Sequence, residues 1–261
     1  TYPPIFHNFA TKGIYCFRFF KNFKWRYVLI DDRLPCNAVF NENQTKKLLF
    51  AHCRQDNEFW VPLIEKAYAK LHGSYLAIES GCIDDGLVDM TGLVSKKVLK
   101  DNVLLSMPSK MDELWKMMKE YSSLKFDYEM KTQSGKKVTS KYYTRNKSMM
   151  GCSVEPNSRS REQQVSMQGH NIGIISGHAY SILDAFEIPK PRSKKPRKCC
   201  RLLRIKNPWG KYEWNGKWYD NSEEVLKNKE TIENVLNKKY ADTNEKIDFS
   251  TPVQLQACIV V

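Results

Sequence analysis

Two short segments, SGHAYS at 176–181 and RIKNPWG at 204–210, carry the most information in this 261-residue chain. His178 follows a glycine at the start of an apolar run, and such a run predicts a strand that holds the imidazole rigidly. Asn207 ends a second apolar run and is followed by proline and Trp209. An Asn oxygen can accept the imidazole N–H and select its tautomer, while an indole keeps water away. The pair indicates the base and orienting group of a Cys-His-Asn triad, the alternative being a structural His beside a turn with an aromatic plug.

The segments around these motifs predict antiparallel strands and helices in separate blocks, which is typical of an α+β fold. On the C-terminal side, we predict strands at 149–154, 178–188 and 199–206 and a helix at 222–239 that starts at Ser222 and buries Val225, Leu226, Ile232, Val235 and Leu236. Upstream, the patterns predict a hairpin at 13–20 and 24–31, a short strand at 48–53, and helices over 59–71, ended by Gly73, and 110–122. We expect a connector at 79–95, a loop or exposed hairpin at 131–147 and a flexible loop at 160–171.

Composition excludes several classes of protein. Apolar residues make up 41% of the chain, which rules out disorder, and no run approaches the roughly 18 apolar residues of a membrane-spanning helix. Neither glycine-rich nucleotide-binding motif occurs. The eight cysteines form no C-x-x-C pair, so we expect reduced thiols and an intracellular, cytoplasmic location, with cytoskeletal or nuclear association as an option.

The ordered motifs together resemble the calpain family of intracellular, calcium-dependent cysteine proteases. Residues 177–181 resemble the family's catalytic His motif, and residues 204–210 with 213–218 resemble its catalytic Asn motif. The likeness extends to a hairpin followed by Asp32-Arg33-Leu34-Pro35 and to a long helix beginning near Glu58. In all, it covers about residues 5–93, 149–154 and 176–221.

The resemblance implies a papain-like, two-lobe protease core that cuts intracellular proteins in a limited way. Residues 1–93 would be the remainder of the first lobe, and residues 94–261 an antiparallel, β-rich second lobe with helices. His178 would be the general base, Asn207 would orient it, and Trp209 would shield the pair. In the family, calcium closes the cleft between the lobes.

The nucleophile of the family is not recognisable in this sequence. The family places it in a Gln-rich segment that ends Asp-Cys-Trp, upstream of the matched region, and no Cys-Trp dipeptide occurs here. No cysteine follows a helix-start pattern that would lower its pKa, and those considered as substitutes are Cys16, Cys36, Cys199 and Cys200. We therefore expect either a nucleophile on an upstream segment or an inactive calpain-like scaffold, and we expect the chain alone not to hydrolyse peptides.

Calcium sites are only partly matched. Leu76 stands where the family has an acidic residue, whereas Glu213 and Asp220 match positions that supply oxygen ligands. Calcium takes about six to eight oxygens, so two carboxylates alone are too few. The later ligand segment is not recognisable, although Asp242, Glu245 and Asp248 lie in roughly the right place. The alternative is that Glu213 and Asp220 are surface acids on a hairpin.

The excess of 42 Lys and Arg over 29 Asp and Glu gives a formal charge of +13, which favours acidic partners. Two segments concentrate it: residues 131–147, and residues 190–206 with nine basic residues and no acid. Solvated loops are the default interpretation, with binding to acidic protein surfaces next. Two neighbouring tyrosines in the first segment do not make a stacking platform, so nucleic acid is the weaker expectation.

Overall fold

The computed structural model describes two compact units, residues 1–98 and residues 99–261. Within them it describes residues 11–40, 46–53, 58–98, 107–122, 125–131, 137–143, 148–154, 163–167, 169–189, 199–209, 212–241 and 258–260. The basic run 190–198 and the acids Asp242, Glu245 and Asp248 lie outside the described residues. Each unit is described by itself.

A hairpin packed on a helix forms the core of the first unit. Strands β1 (Ile14–Lys21) and β2 (Lys24–Asp31) pair from Ile14 opposite Asp31 to Lys21 opposite Lys24. Alternate residues point inward, as the period of two requires, and they meet the apolar face of α1 (Trp60–His72). The buried cluster is Phe17, Phe19, Val28, Ile30, Leu63 and Ala67. The predicted hairpin and helix are confirmed, and Gly73 ends the helix with a φ of 104°.

Two sequence predictions in the first unit are wrong. The strand expected at 48–53 is displaced, because the structure pairs β3 (Cys36–Phe40) with β4 (Lys46–Leu48). The expected connector at 79–95 contains a 3₁₀ turn's continuation and then helix α2 (Ile83–Thr91). Its glycine argued against a helix, but acidic residues in the first turn and tertiary contact with β1 stabilise it.

The second unit is built on a four-stranded antiparallel sheet. Its strands, in chain order, are β5 (Lys125–Lys131), β6 (Lys137–Tyr143), β7 (Met150–Ser153), β8 (Gln163–Met167), β9 (His170–Ser176), β10 (Ala179–Pro189), β11 (Cys199–Lys206) and β12 (Cys258–Val260). The sheet order is β12-β11-β10-β7, while β5-β6 and β8-β9 are separate hairpins. The prediction of a flexible loop at 160–171 is wrong, since β8 and the start of β9 occupy it.

Helices α3 (Pro108–Tyr121) and α4 (Glu223–Tyr240) complete the second unit. The Ser222 hydroxyl accepts the Val225 backbone N–H, so the predicted start of α4 is confirmed. Val225, Ile232 and Leu236 are buried as predicted, whereas Leu226 is exposed, because the helix turns it away from the core. Helices plus antiparallel sheets confirm the α+β class. In the described residues, no helix combines the length and apolar character needed to cross a bilayer.

Candidate active site

His178 sits at the junction between β9 and β10. Gly177 adopts a φ of 73°, a left-handed conformation that glycine takes without a steric penalty, and its N–H donates to the Val154 carbonyl at 2.7 Å. This turn brings His178 into the protein, where the residue is only 5% exposed. The glycine before the histidine thus fixes the position of the imidazole, as the sequence indicated.

Asn207, directly after β11, meets the imidazole. The His178 Nε2 atom lies 2.9 Å from the Asn207 Oδ1 atom. The same Oδ1 accepts the Trp209 backbone N–H at 3.0 Å, and the Asn207 Nδ2 donates to the Tyr212 carbonyl at 3.3 Å. Because Oδ1 already accepts a backbone N–H and is an acceptor only, the Nε2 atom must carry the proton in this pair. In the neutral ring, Nδ1 is therefore the basic nitrogen.

Two aromatic rings enclose the imidazole. The Trp209 ring centroid lies 4.1 Å from that of His178 with the planes tilted by 44°, and the Tyr180 ring meets it edge-on at 5.0 Å. Trp209 itself remains about half exposed. The indole therefore covers one face of the imidazole, the position that the sequence predicted for it. Tyr180 was not singled out, although its place two residues after His178 puts both on one face of a strand.

The segment after Trp209 is held against β9. A methyl group added at Gly173 would lie 1.8 Å from the Glu213 carbonyl oxygen, so only glycine permits this approach. Asn215 donates its backbone N–H to the Ile172 carbonyl at 3.3 Å and its Nδ2 to the Asn171 carbonyl at 2.8 Å. Glu213 is thereby fixed next to Tyr212, whose carbonyl accepts from the Asn207 amide. Sequence reasoning missed this role of Tyr212, because a backbone carbonyl leaves no signal in residue type.

Asp220 has an unusual environment. Neither of its carboxylate oxygens has a hydrogen-bond partner in the described part of the chain, and both are shielded from solvent. Burial, and next the charge of Glu213, raise the pKa of Asp220 to about 8, although Arg204 acts in the opposite direction. A buried carboxylate without a donor, beside a second carboxylate, is a donor set that suits a hard divalent cation such as calcium. Among the described residues, no group of three or more His, Cys, Asp or Glu side chains is gathered in one place.

The cysteines whose side chains are described carry free thiols. Burial raises the pKa of Cys152 to about 11, and burial also raises the pKa of Cys16. Both groups are therefore protonated near neutral pH and are poor nucleophiles. Cys152 lines a cavity of about 150 Å³ together with Tyr180 and Asn207.

Comparison with known proteins agrees with this geometry. Residues 4–250 match the family described as calpain family cysteine protease. The chain is 37% identical to calpain-A of Drosophila melanogaster over 222 residues, which cover 83% of this chain and 21% of that protein. It is 33% identical to the calpain-2 catalytic subunit of Gallus gallus over 209 residues, covering 80% of this chain and 23% of that protein. It is 34% identical to calpain clp-1 of Caenorhabditis elegans over 239 residues, covering 91% and 24%.

The chain belongs to the calpain family of cysteine proteases. The match includes both the segment with His178 and the segment with Asn207. The chain spans between a fifth and a quarter of the length of these relatives.

Proposed function

We propose that this chain provides the base and the orienting group of a calpain-type cysteine endopeptidase, and that a segment outside the printed sequence provides the thiol. The observation that carries the proposal is the 2.9 Å contact between His178 Nε2 and Asn207 Oδ1, with that oxygen held by a backbone N–H. This arrangement leaves Nδ1 as the proton acceptor, as an imidazole that activates a thiol requires.

In the proposed reaction, His178 Nδ1 takes the proton of the thiol, and the imidazolium stabilises the thiolate. The thiolate attacks the carbonyl carbon of the scissile peptide, and the imidazolium then gives its proton to the leaving amine. A water molecule, deprotonated by the same nitrogen, hydrolyses the acyl-enzyme and releases the carboxylic acid and the free thiol. Asn207 holds the ring in one tautomer throughout, and Trp209 limits water at the Nε2–Oδ1 hydrogen bond.

A peptide-based, thiol-reactive electrophile tests the proposal on the native protein. We expect one cysteine, identified by mass spectrometry, to react, and His178→Ala to slow that labelling by about 10²–10⁴-fold. Asn207→Ala should slow it less and shift its pH dependence, because the imidazole loses its preferred tautomer. His170→Ala is the matched control, since His170 is exposed on β9. A native protein that labels at no cysteine would overturn the proposal.

The alternative is a catalytically inactive calpain-like scaffold. It is favoured by the protonated state of the buried Cys16 and Cys152 thiols and by Leu76, which is 78% exposed where the family has an acid. A scaffold predicts stable co-purification with partners and no effect of His178→Ala on any reaction. Loss of peptide cleavage in that variant would exclude it.

We also propose that Glu213 and Asp220 contribute to a calcium site. The support is the pair of buried Asp220 oxygens without a donor in the described residues, next to the Glu213 charge. Calcium bound there would neutralise the two carboxylates. We expect calcium to raise the melting temperature of the wild-type chain and to leave that of Asp220→Asn unchanged, while magnesium serves as the control cation. Equal shifts in both proteins would contradict the assignment.

The two compact units are proposed to be the two protease lobes, with the boundary expected from the sequence near residue 93. The proposed partners are protein substrates inside the cell, together with acidic surfaces recognised by residues 131–147 and 190–206. In the first of these segments, β5 and β6 form the hairpin that was one of the two expectations. Weaker binding of an acidic peptide after charge removal in either segment would test the second assignment.

A further inference from the structure

The tip of the first hairpin has a conformation that its sequence does not favour. Asn22 and Phe23 form a two-residue turn, and their φ angles are 52° and 59°. A turn with two left-handed residues favours Asn-Gly, because glycine has no side chain to clash. Here a phenylalanine occupies the glycine position, and its side chain is not repaid by packing, since Phe23 is 94% exposed. Strained, exposed aromatic residues are often functional.

The outward face of the same hairpin is also aromatic. Trp25, Tyr27 and Leu29 alternate along β2 and are 40%, 57% and 50% exposed. They lie opposite the buried side formed by Val28 and Ile30, so the hairpin is apolar on both faces. One face is occupied by α1, and the other, with Phe23 at its end, is a contiguous apolar surface of the kind that marks interaction sites.

Cationic side chains accompany this surface. Residues 11–30 contain five Lys and Arg and no Asp or Glu. The Arg18 guanidinium lies 4.2 Å from the centre of the Trp25 ring, which places a positive charge directly over the aromatic face. Lys21 is held by Asp89 at 2.7 Å, whereas Lys24 and Arg26 are exposed beside the tip.

We propose that the β1–β2 tip, defined as Phe23 with Lys24, Trp25, Arg26 and Arg18, docks on an anionic lipid surface. Phe23 enters the boundary between headgroups and acyl chains, Trp25 and Tyr27 lie at headgroup depth, and the basic side chains pair with lipid phosphates and carboxylates. Aromatic rings that combine an apolar body with a polar edge favour this depth. Basic residues near an anionic leaflet are attracted to it. An acidic protein surface would satisfy the charges but gives no reason for a single projecting phenyl ring.

Vesicle sedimentation of the full chain tests this surface. We expect binding to phosphatidylcholine vesicles that contain phosphatidylserine and much weaker binding to phosphatidylcholine alone. Phe23→Gly should lower the partition coefficient by about tenfold, because the phenyl ring is lost. The same variant should melt at or above the wild-type temperature, because glycine fits the left-handed turn. Loss of binding with gain of stability is a combination that misfolding cannot produce.

Two matched variants separate the contributions. Leu76→Ser removes an apolar side chain of comparable exposure outside the hairpin and should leave binding unchanged. Lys24→Gln should lower binding by about fivefold, and the exposed Lys116→Gln should lower it far less.

Three outcomes would overturn the proposal. The first is no binding of the wild-type chain to anionic vesicles. The second is equal binding by Phe23→Gly, which would leave only charge attraction. The third is equally tight, Phe23-dependent binding to an acidic peptide, which would assign the surface to a protein partner.

Discussion

Asp184 and Asp220 are both carboxylates removed from water in the second unit, but their surroundings differ completely. Asp184 is fully buried and accepts from Arg204 at 2.6 Å, from Lys239 at 2.8 Å and from the Tyr240 hydroxyl at 2.8 Å. The Asp220 oxygens have no donor within the described residues. Arg204 links the two, since its Nη2 binds Asp184 while its charge also acts on Asp220.

The difference separates a structural group from a binding group. A buried charge is tolerated when counter-charges and hydrogen bonds replace water, and around Asp184 they do. Asp184 joins β10 to β11 and to the end of α4, so its bonds hold three elements together. The carboxylate of Asp220 satisfies no other residue in the described part of the chain. Its burial therefore costs free energy unless a cation is present.

The largest effect is expected from Asp184→Asn. It leaves the Arg204 and Lys239 charges without their carboxylate, and removing one partner of a buried ion pair costs about 3–5 kcal/mol. Urea unfolding of the variant measures this directly. A cost under about 1 kcal/mol would show that water replaces the carboxylate, and the contrast with Asp220 would disappear.

The next effect is expected from Asp89→Asn in the first unit. Asp89 is buried and accepts from Lys21 and from Tyr68, with His72 Nε2 at 3.3 Å. Loss of hydrogen bonds to a charged group should lower the free energy of unfolding by about 1.5–3 kcal/mol. Asp89 thus repeats the Asp184 arrangement with fewer partners, and denaturant unfolding followed near neutral pH checks the rank order.

The pH dependence of the same group gives a separate test. Burial raises the pKa of Asp89, but the hydrogen bonds from Lys21, Tyr68 and His72 outweigh it, so the net pKa lies below the usual value. A folded-state pKa below the unfolded one gives stability above about pH 4, which is lost as the pH falls through the folded value. We expect Asp89→Asn to flatten the acid limb of the stability–pH curve. An unchanged acid limb would contradict this assignment.

A smaller effect of opposite sign is expected from Asp220→Asn. In calcium-free buffer, removing an unpaired charge should leave stability unchanged or raise it by no more than about 1 kcal/mol, since solvent screens part of the cost. Thermal unfolding in the presence of a chelator measures it. A clear loss of stability would mean that Asp220 has a structural partner after all, like Asp184.

The smallest effect is expected from Asp112→Asn. Asp112 pairs with Arg201 at 2.6 Å, but its side chain is 56% exposed. An exposed ion pair contributes at most about 1 kcal/mol and weakens with salt. Unfolding at low and high salt gives the baseline against which the buried carboxylates are compared, and a loss as large as that of Asp89→Asn would break the rank order.

The accuracy of the sequence predictions follows the range of the interactions involved. The β1–β2 hairpin, α1 and α4 were predicted because their apolar periodicity is local and strong. The β8 strand was missed because its residues are mostly polar and its order comes from pairing with β9. Helix α2 was missed for a similar reason, since a short segment with a glycine is stabilised by contact with β1.

Within the candidate site, residue types alone were enough to select His178, Asn207 and Trp209 and to indicate the calpain family, because those chemistries and spacings are rare together. Only the tertiary structure established the tautomer of His178, which depends on a backbone N–H and a carbonyl. It also distinguished Asp184 from Asp220 and exposed Phe23. These features depend on desolvation and on partners distant in the chain, for which local sequence carries no signal.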